Sequence, residues 1–160
     1  MDKESIKEIV RELRKEERED RKKGVLYNTR LLMKHYNDFK RHIDSAVSEA
    51  KDVDYLEDDL GKLDNEELYI LSIKKSKART IIMIAHIDSA MKTLKLRQER
   101  LHSYEKYRAL ELYYCDEKTY EEIAEILNCG VVTSRRWINE MIKELGVYLF
   151  GIDGLKLTVW

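Results

Sequence analysis

The sequence predicts an all-α fold, with long N-terminal helices arranged as a hairpin or bundle and a smaller helical unit at the C-terminus. The chain of 160 residues contains no proline and only six glycines, so few residues interrupt a helix. Charged residues make up 38% of the chain, which suits long helices with solvated faces. Apolar residues recur at spacings of three and four, which is the helical period.

The N-terminal region predicts two helices separated by Gly24. The first covers residues 2 to about 23. Its run of ten charged residues, 14–23, mixes acids and bases at helical spacing and is typical of a solvated helix; an arm that touches DNA is the alternative. The second covers about 26–51 and carries apolar residues at near-heptad spacing: Leu31, Leu32, Tyr36, Phe39, Ile43 and Val47.

An acidic linker, residues 52–65, precedes one long helix predicted over about 65–103. The centre of this helix, 80–87, is apolar almost all round, so it has to be buried on several sides. We therefore expect a homodimer with this helix and the 26–51 helix in its interface. The alternative is that the N-terminal helices cover the apolar centre within one subunit.

Residues 119–145 contain the pattern of a helix-turn-helix. Thr119 can cap the first helix, and Glu122 completes a capping box. Ala124 is small where two helices approach each other, and residues 128–130, Asn-Cys-Gly, can form the tight turn. Thr133 is expected to cap the second helix and Gly146 to end it, with an inward apolar stripe of Ile138, Met141, Ile142 and Leu145.

The second helix of this motif carries the residues predicted to bind double-stranded DNA. In this frame Arg135, Arg136 and Asn139 point outward from its first turns. An arginine can donate two hydrogen bonds to guanine, and an asparagine can pair with adenine in the major groove. Weaker candidates for phosphate contacts are Thr133, Ser134 and Lys143. The structural alternative is a helical hairpin that only packs.

Residues 107–145 resemble region 4 of bacterial RNA polymerase sigma factors. Together with Tyr27–Tyr36 near the front and the Phe-Gly-Ile-Asp sequence at 150–153, the chain resembles the ArpU/RinA group of phage transcriptional regulators. The likeness covers most of the chain from about residue 26. It implies a protein that activates late phage or prophage operons by binding promoter DNA in the bacterial cytoplasm. The chain departs from the family at Ser134, where an apolar residue is usual, and at Trp137, where a polar one is common.

The charge distribution suggests that the motif does not bind DNA alone. The whole chain has a net charge of −1. Residues 104–146 hold six basic and nine acidic groups, a net charge of −3, whereas 68–103 hold eight basic and two acidic groups, a net charge of +6. Because most DNA affinity comes from neutralising phosphates, we expect the basic segment, a second subunit or RNA polymerase to contribute.

Other classes of function find little support in the sequence. It contains no glycine-rich phosphate loop, no nucleophile–base pattern and no metal-ligand spacing, so we expect no enzyme activity, cofactor, metal or small-molecule substrate. Cys115 and Cys129 are predicted to be reduced thiols of a cytoplasmic protein. The longest strongly apolar run, 81–87, is too short to cross a membrane.

The sequence thus predicts two domains: residues 1–103 for dimerisation or partner binding and 104–160 for DNA binding. We expect the apolar tail after Gly146 to pack back on the helix-turn-helix, with a dimer clasp or a polymerase contact as alternatives. The predicted function is a sequence-specific transcriptional regulator, and an activator in particular. The alternatives are a small-terminase-like packaging protein and a sigma-like adaptor that binds polymerase without reading DNA.

Overall fold

A computed structural model describes residues 2–44 and 64–151, and the elements in these two ranges are all helices. The all-α prediction, with a long helix at the N-terminus, is confirmed. In chain order the helices are α1 (Lys3–Lys34), α2 (Tyr36–Asp44), α3 (Asn65–Lys74), α4 (Lys77–Arg100), α5 (Tyr104–Tyr114), α6 (Tyr120–Leu127) and α7 (Val131–Phe150). None of these helices is long and apolar enough to span a bilayer.

The predicted break at Gly24 is wrong, because α1 runs through this residue without interruption. Gly24 is exposed and has no neighbour within 4 Å. A glycine costs a helix only about 1 kcal/mol relative to alanine, and the helix-forming residues on both sides outweigh that. The interruption comes instead at His35, so the helix predicted over 26–51 is divided between α1 and α2. Residues 45–51 lie outside the described ranges.

The single helix predicted over 65–103 is also wrong, because Ser76 separates α3 from α4. Ser76 has an extended backbone, and its hydroxyl accepts a hydrogen bond from the Arg79 N–H at 3.2 Å. The buried Thr80 hydroxyl donates to the carbonyls of Ile73 and Ser76, both at 3.1 Å. These side chains replace the helical hydrogen bonds that a continuous helix would have made across the break.

One buried cluster holds the helices together and draws side chains from both predicted domains. The apolar centre of α4 contributes Met83 and Ile87, which are almost fully buried within the chain. On the opposite side of α4, Ile81 and Ile82 remain 45% and 54% exposed. Helix α7 lies in the middle of the fold and packs against α1, α4, α5 and α6.

The first part of α1 extends away from this core. Its residues from 6 to 24 are exposed, including the short apolar stripe of Ile6, Ile9, Val10 and Leu13. The helix joins the core only from Val25 onward, where Thr29, Leu31, Leu32 and Met33 become buried. The packed end of α1 is therefore the part that can support a site.

The prediction that Gly146 ends the last helix is wrong as well. Helix α7 continues to Phe150 and ends at Gly151, which has a positive φ of 80°. Gly146 lies inside the helix, where an added Cβ would stand 2.8 Å from Thr29 Oγ1 and 3.0 Å from Val25 Cγ1. The glycine is thus needed for the close approach of α1 and not for a turn. The rest of the predicted tail, 152–160, lies outside the described ranges.

Candidate nucleic-acid interface

The predicted capping box at the start of α6 is present. The Glu122 N–H donates to Thr119 Oγ1, and the Thr119 N–H donates to Glu122 Oε1, both at 3.2 Å. At the other end Asn128 has left-handed backbone angles, with φ and ψ both 53°, and the Cys129 N–H donates to the Ala124 carbonyl. These hydrogen bonds pair backbone groups that would otherwise be free at the two ends of α6. Residues 128–130 form the turn, and α7 begins at Val131.

Two predictions for the start of α7 are wrong. The N-cap residue is Gly130, so Thr133 lies within the first turn and does not cap the helix. Ser134 is fully buried, and its hydroxyl donates to the carbonyls of Val131 at 2.7 Å and Tyr120 at 3.3 Å. A side chain buried between α6 and α7 cannot reach a DNA phosphate, so Ser134 contributes to packing only.

The outer face of α7 carries a continuous stripe of accessible side chains. Val132, Arg136, Asn139 and Lys143 follow one another at helical spacings of four, three and four, and Arg135 lies beside them. Both arginines and Lys143 are exposed, Asn139 is half-buried, and Val132 is 77% exposed. The sequence reasoning missed Val132, although an apolar residue outside the inward stripe was the available signal.

An aromatic cluster supports Arg135. Its guanidinium lies 5.0 Å from the centre of the Tyr120 ring, which in turn stacks on Tyr113 at 4.9 Å. Tyr114 packs edge-on against Tyr113, and burial raises the pKa of Tyr114 to about 12, so its phenol stays neutral. A guanidinium on an aromatic face retains free N–H groups at its edge, because stacking occupies only the plane of the group.

Arg136 is held loosely by one carboxylate. Its Nε lies 4.0 Å from Glu140 Oε1, one helical turn away, and Glu140 Oε2 also accepts from Lys106 Nζ at 2.9 Å. An exposed pair of this kind contributes only about 0.3–0.5 kcal/mol. A phosphate or a base can therefore displace Glu140 from Arg136 at low cost.

Helix α1 adds basic groups to the same face. Arg30 Nη2 donates to Asn139 Oδ1 at 3.3 Å, and Lys22 and Lys23 line one groove together with Lys143. Arg30 is separated from Asn139 by 109 positions, so no local pattern in the sequence could connect them. These three residues supply positive charge beside a motif whose own net charge is negative.

The basic segment 68–103 is partly neutralised within the protein. Lys74 Nζ lies 2.9 Å from Asp38 Oδ2, and Arg97 Nε lies 3.9 Å from Glu144 Oε2. Lys92 and Lys95 line a surface depression that also contains Asp88, Glu111 and Asp116. At least two of the eight basic groups of this segment are therefore paired with carboxylates of other helices.

Residues 2–44 and 64–151 contain no group of three or more His, Cys, Asp and Glu side chains placed to hold a metal ion. Both cysteines are free thiols, and burial raises the pKa of Cys115 to about 11. The accessible stripe on α7, with its neighbours on α1, is the best candidate site in the described part of the chain.

Comparison with known proteins does not assign the chain to a family. No family model matches the chain, and no curated protein and no solved structure matches it significantly. The resemblance to sigma region 4 and to the ArpU/RinA group thus stays a prediction based on sequence motifs.

Proposed function

We propose that the chain is a sequence-specific DNA-binding transcriptional regulator in which α6 and α7 form a helix-turn-helix. The observation that carries this proposal is the outer stripe of α7. Arg135, Arg136 and Asn139 project from the first turns of a helix whose opposite side is buried, while the helix before it is closed by a capping box and a tight turn. In this architecture the N-terminal part of the second helix enters the major groove.

Each residue of the stripe has chemistry suited to a part of the duplex. Arg135 and Arg136 can donate paired hydrogen bonds to guanine O6 and N7, and the exposed Val132 can contact a thymine methyl group. Asn139 can pair with adenine. Thr133 and Lys143, with Lys22 and Lys23 from α1, lie at the margins and suit phosphate contacts.

The biological role follows from the resemblance to the ArpU/RinA group. We infer an activator of late phage or prophage genes that works in the cytoplasm of a bacterial host. We further infer a homodimer, because Ile81 and Ile82 on α4 remain about half-exposed to solvent in the described part of the chain. Two such subunits would bind half-sites about one DNA turn apart, near 34 Å, or a multiple of that spacing.

The decisive experiment is selection of binding sites from a library of random duplexes, followed by affinity measurements at several salt concentrations. We expect enrichment of one motif with two half-sites. The logarithm of the affinity should fall linearly with that of the salt concentration, with a slope of roughly −0.9 for each phosphate contacted. A library that stays random after repeated rounds, together with no retardation of any duplex at low salt, would contradict the proposal.

The second candidate function is an adaptor that binds RNA polymerase without reading DNA. The exposed acidic side chains of α6, Glu121, Glu122 and Glu125, favour it, because they oppose close approach to phosphates. Co-purification with polymerase combined with no DNA retardation would establish the adaptor. Light scattering tests the packaging alternative in parallel, since a ring of eight or more subunits would favour a terminase-like assembly over a dimer.

A further inference from the structure

Asn139 occupies the middle of the outer stripe of α7, and its carboxamide has two unlike ends. The oxygen accepts hydrogen bonds and the NH2 group donates them. The direction of each end therefore decides which base edges the side chain can pair with. Adenine offers a donor at N6 and an acceptor at N7, whereas guanine offers acceptors at both O6 and N7.

Arg30 determines the orientation of this carboxamide. Its Nη2 donates to Asn139 Oδ1 at 3.3 Å across the contact between α1 and α7. A guanidinium has donors only, so the opposite orientation of the carboxamide would place two donors against each other. The amide oxygen consequently faces α1, and this assignment follows from the chemistry of the two groups.

The packing of α1 fixes the position of Arg30. The residues on either side of it, Thr29 and Leu31, are buried, and Thr29 is the residue that Gly146 of α7 approaches closely. The guanidinium is also near enough to Tyr114 and Tyr120 to act on both phenols electrostatically. Arg30 thus lies on the packed part of α1, and its guanidinium reaches Asn139 on the outer face of α7.

We propose, building on the proposed function, that Arg30 is a positioning residue that holds Asn139 in the orientation in which it pairs with adenine, and so strengthens the preference for adenine over guanine that the carboxamide itself provides. With its oxygen held toward α1, the outward edge of the carboxamide presents an acceptor beside a donor, which complements adenine N6 and N7. A guanine in the same place would set its O6 against the amide oxygen. Turning the carboxamide would break the bond to Arg30 and would only move this clash, because the amide oxygen would then face guanine N7.

The test measures binding to duplexes that differ only at the base pair read by Asn139. That pair is located first, as the position of the selected motif whose preference disappears in Asn139→Ala. We expect the wild-type protein to prefer adenine over guanine there by about tenfold, within the range that one bidentate contact supplies. In Arg30→Met the preference should fall by about two- to fourfold, because the freed carboxamide has to be ordered when it pairs with adenine, while preferences at the other positions stay unchanged. In the Asn139→Ala background, Arg30→Met should produce no further change in base preference.

Arg30→Lys is the matched control, because it keeps the positive charge near the DNA backbone. It should restore overall affinity and the salt dependence, and it should restore part of the adenine preference through its single ammonium donor. If Arg30→Met weakens binding to the adenine and guanine duplexes by the same factor, Arg30 only neutralises phosphate and the inference is overturned.

A second readout needs no DNA. In the free protein, the nuclear magnetic resonance signals of the Asn139 side-chain NH2 group should shift in Arg30→Met and remain in place in Arg11→Met, a control on the exposed first part of α1. Unchanged signals in Arg30→Met would overturn the inference whatever the DNA result. Shifted signals with no sequence-specific DNA binding would instead sink the proposed function, and with it the role of Arg30 in base selection.

Discussion

The two halves of α7 have very different surroundings. Residues 131–140 bury one side, through Ser134 and Ile138, and leave the opposite side open. Residues 141–150 are enclosed by α1 and α4 as well, and most of them are buried. The second half therefore anchors the helix, so that the side chains of the first half have a rigid support.

Under the proposed function, this difference separates the residues that stabilise the fold from those that contact DNA along one helix. Substitutions of buried residues, which predominate in the anchored half, should unfold the protein before they affect any ligand, whereas substitutions on the outer stripe should affect binding while the fold remains intact. Neighbouring residues can therefore have opposite phenotypes, which makes the comparison testable with pairs of variants.

The largest effect is expected for Ile142→Ala. Ile142 is fully buried, and its truncation leaves a cavity where α1 meets α7, so the free energy of unfolding should fall by about 2–5 kcal/mol. Its neighbour Lys143 is exposed, and Lys143→Ala should leave stability within about 0.5 kcal/mol. The same variant should reduce the salt slope of DNA binding by about 1. Chemical denaturation measures the stability of both variants, and DNA binding at several salt concentrations measures the salt slope. A Lys143→Ala variant as unstable as Ile142→Ala would refute the separation of stabilising and DNA-contacting residues along α7.

The second test compares two glycines that both lie inside helices. Gly146→Ala should lower the free energy of unfolding by about 1–3 kcal/mol, because the new methyl group would overlap Thr29 at the contact with α1. Gly24→Ala should raise it by about 0.5–1 kcal/mol, since the site is open and alanine favours the helix. Thermal melts of both variants measure the difference. Equal stabilisation by both would mean that α1 does not clamp α7 at Gly146.

A smaller gain in affinity is expected from Glu140→Gln. The change removes the carboxylate beside Arg136 and lowers the negative charge near the stripe, so DNA affinity should rise by about two- to fivefold. It also removes the ion pair with Lys106, and stability should fall by at most about 1 kcal/mol. Affinity titrations of the variant and of Glu121→Gln, a control on α6, show whether the effect is local to the stripe.

The smallest effect is a pH dependence that arises away from α7. Burial acts to raise the pKa of Asp38, but the hydrogen bond and the charge of Lys74 outweigh it, and the pKa is lowered. The pKa of His35 is also lowered, and here burial is the main cause. Both groups bind protons more weakly in the folded chain, so their contribution to stability is present above the pKa values of the unfolded chain, about 3.9 for Asp and about 6.5 for His. It is lost as the pH falls.

We therefore expect stability to decrease first below about pH 6.5, through His35, and again below about pH 4, through Asp38, with each loss under about 1 kcal/mol. Denaturation at a series of pH values should show smaller losses in Asp38→Asn in the lower range and in His35→Asn in the upper range. A decrease that is unchanged in both variants would place the titrating groups elsewhere.

The sequence predicts the features that depend on a few neighbouring residues. The capping box of Thr119 and Glu122 and the inward stripe of α7 lie where expected, because their hydrogen bonds and spacing are local. Gly24 and Gly146 show the limit of such reasoning. Both were expected to end a helix, yet one is tolerated because nothing surrounds it and the other is required because α1 passes close by. Only the tertiary contacts separate the two cases.

The candidate site shows the same limit. Arg135, Arg136 and Asn139 were expected to point outward from the periodicity of α7; both arginines are exposed, and Asn139 is half-buried. Ser134 has the chemistry of a phosphate ligand, but its position toward α6 uses the hydroxyl for backbone carbonyls. Arg30 enters the site through the packing of α1, which no spacing within the chain could reveal.

The most direct test of the central claim is the affinity of Arg135→Ala and Arg136→Ala for the selected duplex, measured beside Arg11→Ala. Arg11 lies on the exposed first part of α1, so its substitution makes the same change in charge away from the stripe. We expect each α7 variant to lose about 1–3 kcal/mol of binding free energy and to relax its sequence preference, while Arg11→Ala stays within about twofold. If both α7 variants bind the duplex as the wild-type protein does, with an unchanged footprint, α7 does not read DNA.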